Sequence, residues 1–181
     1  MPNQDSKINN LQKANLESHR IVEESLKEAL FALLEKKYIS EITITELVKK
    51  AGVSRSVFYK HYYLVKDVLK KDVEDITKQV RQNMSASLYE NWLHILNVTL
   101  ERRDKLILTV VKADMGMDIL RCFNSLIKPG DNQERFLAWN GIIFNEILYW
   151  AKQGFVQPPE QLAAKLTDLT ESLYTKPFKK E

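Results

Sequence analysis

Arg55, Ser56, Tyr59 and Lys60 are spaced at the one- and four-residue steps that put side chains on one face of a helix. A guanidinium, a hydroxyl, a phenol and an ammonium, with no carboxylate among them, suit an anionic hydrogen-bonding partner better than a reaction. Arg55 can bond a guanine edge with two N–H groups, and Tyr59, Lys60 and the adjoining His61 are placed for phosphates. The free N–H groups of the helix that opens at Thr43 also suit a phosphate. Other chemistries are poorly served. His19, His61 and His94 lie far apart with no metal-ligand spacing, and neither a Gly-rich phosphate loop nor a Gly-x-Ser-x-Gly elbow occurs. The acids are scattered, with no pair assignable to proton transfer. Cys122 is the single cysteine and reads as a small buried hydrophobe. Catalysis, a metal and a cofactor are therefore not expected.

The elements that must position these residues can be read from caps and periodicity. Ile21, Val22, Leu26, Ala29, Leu30 and Leu33 recur at three- and four-residue steps and mark an amphipathic helix. Thr43 and Glu46 have the spacing of a capping box, which opens a helix over about 44–50 with Leu47 and Val48 inward. Ala51-Gly52-Val53-Ser54 stops it: Gly52 takes positive φ cheaply, and Ser54 caps a third helix over about 55–62. Three short helices with a tight glycine turn between the last two form a helix-turn-helix. Leu47, Ala51, Val53 and Phe58 make its crossing, and the third helix is presented outward with the width of a DNA major groove. A longer helix follows from Lys66 to about Gln82.

Thr43 to Tyr62, TITELVKKAGVSRSVFYKHY, resembles the DNA-binding domain of the tetracycline-repressor (TetR) family of bacterial transcription regulators, within a similar segment over 21–69. The resemblance implies that Phe58 is core, that Tyr59 touches the DNA backbone, and that Thr43, Arg55, Ser56, Lys60 and His61 line the DNA surface. Ser54 and Lys66 complete the candidate set. Three positions depart from the family pattern: Val57 stands where threonine is usual, Val48 where alanine is usual, and Val65 where a phosphate-contacting lysine is usual, with Lys66 one residue later. These departures keep an alternative open, a co-regulator of the same fold that binds a protein. Phe136 to Leu166 is similar to a subgroup that includes regulators linked to dihydroxyacetone kinase.

The fold class expected is all-α, about nine helices. Residues 1–65, ordered from about 15, are expected to be the DNA-reading domain, and residues 66–181 a helical effector-binding and dimerisation domain. Helices are expected at about 86–101, 103–113 and 115–127, then from the capping Asp131 to about Gln153, and from Pro158-Pro159 to about Tyr174. The helix over 131–153 has apolar residues on more than half its circumference, more than one core face needs. With Leu162, Leu166, Leu169 and Leu173 on the last helix, it suggests a four-helix bundle made with a second copy. Phe144, Leu148 and Ala151 join those leucines as interface candidates. Trp92, His94, Met115, Met117, Cys122, Phe123 and Trp139 are candidates to line a cavity for an unknown small effector. The partners expected are double-stranded DNA, a second copy and that effector, with two half-sites about 34–36 Å apart or a multiple of that.

Composition and charge agree. Only 5 Gly and 5 Pro among 181 residues argue against a barrel or sandwich. A lone cysteine points to the cytosol. The longest aliphatic run, about Leu106–Val111, is far short of the roughly 20 residues a membrane span needs. The N-terminus lacks the apolar core of a signal peptide, and both chain ends are expected to be loose. The net charge of +3 lies wholly in residues 1–72, and Lys49–Lys71 holds seven basic residues against Asp67 alone. Such a basic block on a neutral body suggests a polyanion.

Overall fold

A computed structural model describes residues 4–127, 130 and 132–175, with the side chains of 4–8, 11 and 172–175 outside that description. All secondary structure among the described residues is helical. The chain divides into two units, the first ending at Lys71 and the second beginning at Asp72.

In the first unit α1 (Gln4–Leu34) packs on α2 (Ile44–Ala51), and α2 on α3 (Arg55–His61). Leu26, Ala29, Leu30, Phe31, Leu33 and Leu34 form the buried stripe of α1. The expected stripe began earlier, but Ile21 is 56% exposed. Helix α1 is also longer than expected: it begins at Gln4, and residues 12–20 are exposed. Polar side chains and an Arg20–Glu17 pair at 2.7 Å clothe this part, where a helix with no apolar stripe has nothing to bury. Leu47 and Phe58 are fully buried where α2 and α3 cross. A 3-10 turn, Val65–Leu69, packs Val68 and Leu69 inward and touches α1, so it belongs to the first unit.

The second unit takes in the rest of α4 (Lys70–Gln82) and α5 (Leu88–Glu101), α6 (Arg103–Ile107), α7 (Gly116–Ser125), α8 (Gln133–Lys152) and α9 (Pro159–Thr175). Helix α6 runs into a π-helical turn, Leu108–Lys112, closed by a 2.8 Å bond from Ala113 N–H to the Leu108 carbonyl. Asn132 caps α8 by accepting from Arg135 N–H at 3.0 Å; the expected cap, Asp131, lies outside the described residues. Positive φ at Gly154 (+70°) and Phe155 (+56°) ends α8 and turns the chain toward α9. The core centres on Trp92, Ile95 and Leu96 of α5 against Leu162, Ala163 and Leu166 of α9. Trp92 donates its indole N–H to Thr170 Oγ1 at 2.9 Å, which satisfies a buried donor and fixes the two helices in register. Leu162 and Leu166, expected at a dimer interface, are buried inside the protomer on this contact. Each buries apolar surface stabilising the unit by about 1.5–3 kcal/mol, and neither has a face left for a partner. No described helix is long and apolar enough to cross a membrane.

Candidate nucleic-acid interface

The local sequence explains why α3 is displayed. Thr43 Oγ1 accepts from Glu46 N–H at 3.2 Å and starts α2. The reciprocal half of the expected capping box is absent: the Glu46 carboxylate instead pairs with Lys37 Nζ at 2.6 Å, because that cation at the end of the first helix competes for it. Gly52 sits at φ +69°, its N–H bonded to Lys49 O, while Val53 N–H reaches back to Val48 O at 3.0 Å. This left-handed closure ends α2 within one residue and costs glycine no Cβ clash. Ser54 Oγ accepts from Val57 N–H at 3.2 Å and lies 2.9 Å from Ser56 Oγ, so α3 starts two residues after the turn.

One face of α3 is buried through Phe58. The opposite face exposes Arg55, Ser56, Tyr59 and Lys60, with Tyr59 48% exposed. Thr43, Ser54, Lys49 and Lys50 are exposed as well. His61 is half-buried, its ring 4.7 Å from His19 of α1 in an edge contact, so its ring is engaged with α1. Lys66 is half-buried in the 3-10 turn. Of the basic block, Lys70 pairs with Asp67 at 2.7 Å and Lys71 with Glu23 at 2.8 Å. Tyr63 escaped the sequence reading: it is 84% exposed just past α3. Its signal was the second tyrosine of His61-Tyr62-Tyr63, where a core residue would be expected only once per turn.

Two titrating groups brace the far end of α3. Burial, and then the Glu23 carboxylate, push the Tyr62 phenol up to about 12, so it stays neutral. Burial pushes the Asp67 carboxyl up. The hydrogen bonds from Lys70 and from the Leu64 and Tyr63 N–H groups outweigh it, holding the group below its ordinary value. Asp67 Oδ2 accepts from Leu64 N–H at 2.8 Å and Tyr63 N–H at 3.2 Å, which ties down the chain leaving α3.

The cavity candidates divide. Phe123 lines two cavities of the second unit and Trp139 lines the larger. Trp92, His94, Met115, Met117 and Cys122 line neither. Trp92 and Met115 are spent in the core. Met117 is 57% exposed, because its helix turns it outward. His94 Nε2 lies 3.2 Å from the Gln79 carbonyl, and Cys122 Sγ 3.0 Å from Thr77 Oγ1. Among the interface candidates, Phe144 and Leu148 are half-buried on α8 and line the smaller cavity inside the protomer instead, Ala151 is half-buried on α8, and Leu169 is exposed on α9. The Leu173 side chain lies outside the described residues.

No family model matches the sequence. Over 81 residues the chain is 30% identical to YxbF of Bacillus subtilis (strain 168), an uncharacterized HTH-type transcriptional regulator; the match takes in 45% of this chain and 20% of that protein. The chain thus spans about one fifth of that relative. Among solved structures, NalD of Pseudomonas aeruginosa, the secondary repressor of the MexAB-OprM multidrug efflux pump, is similar with a TM-score of 0.60 and 16% identity, over 87% of this chain and 96% of NalD. AlkX of Dietzia sp. strain DQ12-45-1b, a TetR family repressor implicated in biodegradation of n-alkanes, is similar with a TM-score of 0.51 and 16% identity, over 83% of this chain and 94% of AlkX. The α2–turn–α3 geometry and the helical second unit therefore occur together here in the all-helical fold that TetR-type repressors have.

Proposed function

We propose that this chain is a sequence-specific DNA-binding transcriptional regulator of the TetR type, a ligand-responsive repressor that binds a near-palindromic operator as a homodimer. The observation that carries the reading is the outward face of α3, where Arg55, Ser56, Tyr59 and Lys60 stand exposed together on a helix braced by Phe58. Arg55 reads a base edge; Tyr59, Lys60 and the N–H groups at the start of α2 hold phosphates. The narrower likeness to dihydroxyacetone-kinase regulators rests on the aromatic α8 and the Pro159 start of α9.

The homodimer reading draws on α8. Leu137, Gly141 and Ala151 lie on the side of that helix away from its most buried residues, while Phe144 and Leu148 of the same stripe line the smaller cavity of the protomer, and Leu169 adds an exposed apolar residue on α9. Nothing lies within 4 Å of where a Cβ on Gly141 would sit. A glycine in mid-helix costs about 0.5–1 kcal/mol relative to alanine, and close approach of a second helix offsets that cost.

The test is selection from a random duplex pool by the full chain. The expected result is enrichment of a site with two related half-sites, their centres about one or two helical turns apart. A pool left unenriched after several rounds contradicts the proposal.

A further inference from the structure

The second unit holds a cavity of about 50 Å³ between α4, α5, the π-helical turn, α7 and α8. Three threonines stand in its wall, and each spends its hydroxyl on its own helix. Thr77 donates to the Val73 carbonyl, Thr99 to Ile95 O at 2.8 Å, and Thr109 to Lys105 O at 2.8 Å. With the donor turned back onto the backbone, polar atoms contribute almost nothing to the wall. Arg102, the charged residue of the wall, sends its Nη2 to Gln79 Oε1 at 3.0 Å and leaves the cavity its stem. The π-helical turn supplies Thr109 and Val110.

A second, more open cavity of about 280 Å³ shares Val80 and Phe123 with the first, so the Phe123 ring is a wall common to both. Phe136 and Trp139 give this larger space an aromatic side, and Arg81, Asn91 and Asn140 give it a polar one. Dry apolar cavities of about 150 Å³ take up benzene or xenon. The smaller space is about a third of that, so a ring-sized guest fits only if Phe123 swings toward the larger one. A charged or strongly polar guest would find no partner for its polar atoms in the smaller space.

We propose that the methyl-walled cavity is the effector site, and that its effector is small, uncharged and apolar: an aromatic hydrocarbon or a short alkane, admitted past Phe123. The proposal deepens the ligand-responsive reading above, and its regulatory half rests on that reading.

The experiment compares toluene with benzoate on the full chain, by thermal unfolding, by tryptophan emission and by affinity for a selected operator. Toluene at about ten times its dissociation constant is expected to raise the unfolding midpoint by about 3 °C. It is also expected to change Trp139 emission and to weaken operator binding at least about fivefold, while benzoate at the same concentration moves none of these. Val110→Phe, which fills the cavity, should abolish the toluene response. If that variant unfolds, the toluene–benzoate comparison on the unsubstituted chain decides alone. Benzoate acting as well as toluene, or no response to toluene, overturns the proposal. Toluene that binds and leaves operator affinity unchanged overturns the effector assignment. Failure to bind any DNA, with or without toluene, strikes the proposed function instead and leaves toluene uptake as the separate readout of the cavity.

Discussion

At the scale of single residues, the sequence separated the two faces of α3 correctly because a short helix has only two. Phe58 is fully buried, and Arg55, Ser56, Tyr59 and Lys60 are exposed. Contacts made outside a residue's own helix were not legible. His61 has the period of an exposed residue, yet α1 brings His19 against it. Glu46 has the spacing of a capping box, yet Lys37 takes its carboxylate. The exposed cations of α3 should therefore act differently from one another. Arg55→Ala is expected to cost about 1–3 kcal/mol on a selected operator and little on random duplex, as loss of a base contact requires. Lys60→Ala should weaken both equally and lower the salt dependence by about one phosphate per head. Fluorescence anisotropy on the two duplexes across a salt series measures this. Equal losses for Arg55→Ala on both duplexes would remove it as a reader.

At the scale of elements, caps and periodicity located the helices to within a few residues through α9, with α1 as the exception. Its first half has no apolar stripe, so periodicity is silent there, although the helix continues through polar residues to Gln4. The reading of α9 erred for a related reason. Leu162 and Leu166 have the period of an interface, but period reports only that a face is covered, and here α5 of the same chain covers it. The proposed homodimer would use the apolar surface of α8 that the protomer leaves uncovered. Gly141→Trp is accordingly expected to leave the protomer's thermal unfolding near its original midpoint, since nothing lies within 4 Å of the position. It should raise the dimer dissociation constant at least about tenfold, read by sedimentation equilibrium. A dimer that tolerates the tryptophan has its interface elsewhere.

At the scale of the whole molecule, fold class was legible from low Gly and Pro and from helical period throughout. The cavity lining was not, because inward residues of several helices look alike in sequence and only packing decides which of them leave a gap. Charge gave a direction. The basic excess lies in the first unit, where Lys70 and Lys71 are held in ion pairs, while Lys49, Lys50, Arg55 and Lys60 are exposed. In the proposed homodimer, two heads presenting such a set to a duplex would release counterions on binding. The most direct measurement is the affinity of the full chain for a selected duplex as salt is raised. The expected result is a linear fall of log K against log salt with a slope of about −4 to −8. Absence of salt-dependent binding to any duplex would contradict the account and favour a protein partner for the same α3 face.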